Sequence, residues 1–66
     1  MVSIEKALEV VRSRHPKEDD HVWFQEDDPR VYILNDVSDA LYQEGYSDVE
    51  EGVLQGVADK IVEESG

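Results

Sequence analysis

His15 and His21 bracket Glu18, Asp19 and Asp20, which places imidazole nitrogens and carboxylate oxygens within one short segment. Those donors suit a divalent cation. Zinc sites take three or four ligands at recurring intervals, and this segment follows no such interval, with Pro16 stiffening the chain beside His15. A calcium loop alternates oxygen ligands around a central glycine, and Asp36, Asp39 and Glu44 provide neither feature. No metal ligand is assigned on this evidence. Weak divalent binding through 15–21 is kept as the last of three functional readings.

Covalent chemistry has fewer candidates still. The chain has no cysteine, and Ser3, Ser13, Ser38, Ser47 and Ser65 sit in no nucleophile motif. Carboxylates abound, but a general acid needs a raised pKa, and a thin domain gives little desolvation. Gly45, Gly52, Gly56 and Gly66 never cluster into a phosphate-cradling loop. We therefore expect no catalytic residue, no cofactor and no enzymatic activity.

Charge is the dominant signal. Seventeen Asp and Glu oppose six Lys and Arg in 66 residues, a formal net charge of −11 with a pI near 4.2. The imbalance is uneven, because Lys6, Arg12, Arg14 and Lys17 give the first 17 residues a small positive excess. A field of this sign repels nucleic acid and anionic membranes and attracts basic protein surfaces. The expected partner is thus a protein with a basic surface. Two acidic clusters, Glu18-Asp19-Asp20 and Glu26-Asp27-Asp28, flank Val22-Trp23-Phe24, the most hydrophobic tripeptide of the chain. These carboxylates, with Trp23, are the candidate partner-binding residues, although the only Trp and only Phe of so small a chain are also expected in its core.

A dense carboxylate array on a small frame can imitate a nucleic-acid backbone and occupy the groove of a protein that handles DNA or RNA. An inhibitor or modulator of that kind is the first reading. In the second reading the chain is a small self-associating or accessory subunit, and its acidity serves only solubility, as on a surface adapted to high salt. A homo-oligomer fits either reading.

The elements that must carry these residues are helical. Ser3 is a candidate N-cap, Ile4, Leu8 and Val11 recur at helical spacing, and Pro16 ends the run, which predicts a helix over 3–14. Asp28-Pro29 reads as an N-cap followed by proline at N1. Val31, Leu34, Val37 and Leu41 then predict a helix over 29–44, closed by Gly45. Ser47-Asp48-Val49-Glu50 reads as a capping box. Val49, Val53, Val57 and Ile61 extend that third helix over 48–64. Gly52 and Gly56, four residues apart within it, suggest close approach of a neighbouring element.

The expectation is an all-α, compact three-helix domain spanning 1–66, with an aromatic loop or short strand at 21–25. A competing α+β arrangement pairs 22–25 with 30–34 as a hairpin, since both stretches are rich in β-branched and aromatic residues. The core is expected from Ile4, Leu8, Val11, Trp23, Phe24, Leu34, Val37, Leu41, Val53, Val57 and Ile61. No apolar run is long enough to span a membrane, and residues 1–5 lack the pattern of a signal peptide. A cytoplasmic location is the resulting expectation.

Overall fold

Ser3 opens the first helix, its Oγ accepting the backbone N–H of Lys6 at 3.1 Å. The computed structural model describes residues 2–65, and α1 runs over Ile4–Arg14. Glu5 stands in its first turn and Arg12 and Arg14 in its last, each complementing the helix dipole. His15 turns extended before Pro16, because proline forces its predecessor out of the helical region.

The chain then winds through a 3-10 turn, Lys17–Asp19, into a single α-helical turn, α2, over His21–Phe24. Asp20 joins the two in helical conformation, and its carbonyl accepts the N–H of Trp23 at 3.0 Å. The aromatic segment is therefore a helical turn, where the sequence suggested a loop or short strand. No strand occurs among the described residues, which removes the hairpin alternative. The strand preference of Val31, Tyr32 and Ile33 yields to packing. Ile33, Val37 and Leu41 recur one helical turn apart and are all fully buried, so the helix turns one continuous apolar face to the core.

Pro29 opens α3, Pro29–Gln43, at N1 as expected. Asp28 occupies the cap position, but its side chain makes no capping hydrogen bond. The far end is closed by a Schellman motif. Gly45 takes φ +97, its N–H reaches the Tyr42 carbonyl at 3.1 Å, and the Tyr46 N–H reaches the Leu41 carbonyl at 2.9 Å. Tyr46 is thereby turned back onto the core.

The last helix, α4, spans Glu51–Ser65, so it starts later than the capping box implies. The Glu50 carbonyl accepts the first N–H groups, from Val53 and Leu54. Residues 46–50 form no helix, and Tyr46 and Val49 among them pack against the core.

Helices α1, α3 and α4 pack on one another in pairs, and α2 lies against α3. The core is Val2, Ala7, Val10, Val11, Trp23, Ile33, Val37, Leu41, Val57, Ala58 and Ile61. Val11, Trp23, Val37, Leu41, Val57 and Ile61 fall where expected. Leu8, Leu34 and Val53 are only partly buried, while Ile4 and Phe24 are exposed. Close approach is real at one of the two glycines. A Cβ on Gly56 would stand 2.5 Å from Ile4 Cδ1, whereas one on Gly52 would meet nothing. No helix among the described residues is long and apolar enough to cross a membrane.

Candidate protein-binding surface

The arginines are engaged in contacts within the molecule. All three arginines tie their helix to another element. Arg12 grips Asp20 through two parallel bonds, Nη1 to Oδ1 at 2.7 Å and Nη2 to Oδ2 at 3.1 Å, and Nη2 also reaches Glu64 at 3.0 Å. Arg14 joins α1 to the end of α3 through Glu44 at 2.7 Å and Gln43 at 3.0 Å. Arg30 joins α3 to α4 through Asp59 at 2.7 Å and the side chain of Gln55. The basic cluster at 12–17 is thus largely spent on internal ties. Of its members only Lys17 has no ion pair among the described residues.

Asp20 is the buried end of this system, at 5% exposure. Burial pushes its carboxyl pKa up, but hydrogen bonds from Arg12 and Ser65, with the positive charge of Arg12, outweigh that and hold it below the ordinary value. The same contacts raise the Arg12 pKa, the Asp20 hydrogen bond most of all. His15 lies alongside, with Nε2 at 3.4 Å from Asp20 Oδ1. Its ring is stacked on Trp23, centroids 3.7 Å apart and planes 14° from parallel. The Trp23 indole N–H donates to Asp36 Oδ2 at 2.6 Å.

This geometry divides the candidate residues. Asp20 and Trp23 turn into the molecule and help hold α2 in place. Glu18 and Asp19, before α2, and Glu26, Asp27 and Asp28, after it, are exposed and have no cation partner among the described residues. Between the two groups Val22 and Phe24 stand 52% and 39% exposed. The acidic residues thus flank a turn whose exposed apolar side chains are Val22 and Phe24 rather than the indole. Sequence reasoning missed Phe24 as a surface residue. The available signal was positional, since neighbours on a helical turn point about 100° apart, so burial of Trp23 directs Val22 and Phe24 elsewhere.

His15 and His21 are not brought together. His15 faces Trp23, and His21 Nδ1 lies 3.0 Å from the carbonyl of Glu18 in its own turn. Among the described residues no three His, Asp or Glu side chains are grouped to hold a metal ion. Two shallow clefts open on the described surface. One of about 240 Å³ follows the Gly45–Val49 connection beside Val2. The other, about 190 Å³, lies between α1 and α3 and includes His15, Asp36 and Asp39.

No protein-family model, curated protein or solved structure matches this chain.

Proposed function

We propose that this chain is a non-enzymatic protein-binding module that docks through α2 and the acidic turns at its two ends. Its partner is a protein with a basic surface, of the kind that handles nucleic acid, and binding inhibits or modulates that partner. One observation carries the reading. Val22 and Phe24 stand exposed between Glu18-Asp19 and Glu26-Asp27-Asp28, while the arginines that would neutralise such a face are tied up elsewhere.

An exposed aromatic such as Phe24 with carboxylates beside it follows the usual plan of a protein interface, in which rim charges steer encounter and the aromatic supplies affinity. The test compares capture of proteins from a cell lysate by two immobilised chains. One is the wild type, and the other replaces Glu18 and Glu26 by Gln and Asp19, Asp27 and Asp28 by Asn. Basic proteins held by the first and not the second support the reading. Identical capture by both overturns it.

A further inference from the structure

Helix α3 turns one stripe outward that carries no charge, on a chain where 35% of residues are charged. Val31, Asn35, Ser38 and Tyr42 recur at i, i+4, i+7 and i+11, which at 100° per residue confines them to about 60° of arc. All four are exposed, Val31 at 56% and Tyr42 at 69%. On one flank Arg30 faces α4, and on the other Asp36 and Asp39 border the cleft toward α1. The stripe therefore lies between the side of α3 that meets α4 and the side that borders the α1 cleft.

We propose that this stripe is the contact face of a two-fold symmetric homodimer, with the α3 helices of two copies packed antiparallel. The pairing follows from the register. A two-fold axis midway between residues 36 and 37 sets Val31 against Tyr42 of the partner subunit, and Asn35 against Ser38 of the partner subunit. Both pairs are chemically matched. Val and Tyr bury apolar surface at each end, while Asn and Ser exchange hydrogen bonds in the middle, so the stripe is complementary to itself, as a two-fold interface requires. Charge selects the occupant. A second copy presents anionic surface almost everywhere, and this uncharged stripe is where two such chains meet without opposing carboxylates at the centre. A strongly basic partner would find nothing there to attract it.

The symmetry also predicts how salt acts. The same flank of each helix lies on the same side of the dimer, so Asp39 approaches Asp39 of the partner subunit at the rim. Added salt screens that repulsion and favours the dimer. This is opposite to its effect on a basic partner held at the acidic face, so the two contacts fail or succeed separately.

Sedimentation equilibrium across protein and salt concentration is the test. We expect a monomer–dimer equilibrium that tightens as salt rises. Ser38→Glu and Tyr42→Ala should each weaken it at least tenfold with an unchanged circular dichroism spectrum. Because the chain has no cysteine, register can be read directly by oxidising an equimolar mixture of Val31→Cys and Tyr42→Cys chains. Mixed disulfides should exceed the statistical half. A monomer mass at every concentration and salt, dimerisation indifferent to both stripe variants, or a preference for like-with-like disulfides would each overturn the proposal.

Discussion

Arg12 and Asp20 form a two-pronged ion pair, at 2.7 and 3.1 Å, in which the carboxylate side chain is only 8% exposed and the guanidinium 20%. The pair closes a loop of eight residues and holds α2 against the bundle, with Ser65 at 3.0 Å drawing in the end of α4. Removing Arg12 strands Asp20 in a poorly solvated site, with the Ser65 hydroxyl as its remaining hydrogen-bond donor. Arg12→Ala should therefore cost about 3 kcal/mol of unfolding free energy, measured by urea denaturation. Ser65→Ala should cost about 1 kcal/mol, the worth of one hydrogen bond to a charged group at a partly exposed site.

The same pair makes stability depend on pH in a definite direction. The Asp20 carboxyl ionises more readily in the folded chain than in the unfolded one, against an ordinary value of 3.8. Its contribution is complete above that value and is lost as pH falls through the lower folded value. Acid denaturation should therefore lose part of its steepness below pH 3.8 in Asp20→Asn. An identical acid limb in wild type and variant would show that Asp20 carries no such linkage.

Adjacent aromatic residues should behave oppositely. Trp23 is 2% exposed and bonded to Asp36, so Trp23→Ala should cost roughly 3–5 kcal/mol, enough to unfold much of so small a domain. Phe24→Ala should change the melting temperature little, because the ring is already 39% exposed. It should weaken partner binding by about 2 kcal/mol if Phe24 is the anchor of the acidic face. Thermal melts and binding isotherms on the two variants separate these roles.

Glycines in α4 should also diverge on substitution. Gly52→Ala should stabilise the chain by about 1 kcal/mol, since nothing lies within 4 Å of the added Cβ and the helix gains propensity. Gly56→Ala should gain much less, because Ile4 must swing away from the new methyl group. Gly45→Ala should destabilise by about 1–2 kcal/mol, the cost of a side chain in the left-handed region. Melting temperatures of the three variants give the order directly.

The parts of the fold legible in the sequence were those set by local backbone chemistry. Ser3, Pro16, Pro29 and Gly45 mark helix ends through capping, a missing N–H or a positive φ, and each acts within a few residues. What escaped was set by tertiary contact. The capping box at 47–50 lies outside α4, in a connection that Tyr46 and Val49 pin to the core. The buried face of α3 is centred on Ile33 and Val37 rather than on Val31 and Leu34, and the four consecutive apolar residues 31–34 give no local reason to prefer either phase. At the candidate site, the acidic rim was visible as composition. The inward turn of Asp20 was not, because its partners Arg12 and Ser65 lie eight and 45 residues away.

Competition by duplex DNA tests the central claim most directly. Proteins captured on the immobilised wild-type chain at low salt would be challenged with increasing duplex DNA, with the five-carboxylate variant as control. If the face around Val22 and Phe24 stands in for nucleic acid, DNA should release the captured proteins in proportion to its concentration, and added salt should release the same set. Proteins that stay bound under both treatments, or that bind the neutralised variant equally well, would contradict the account.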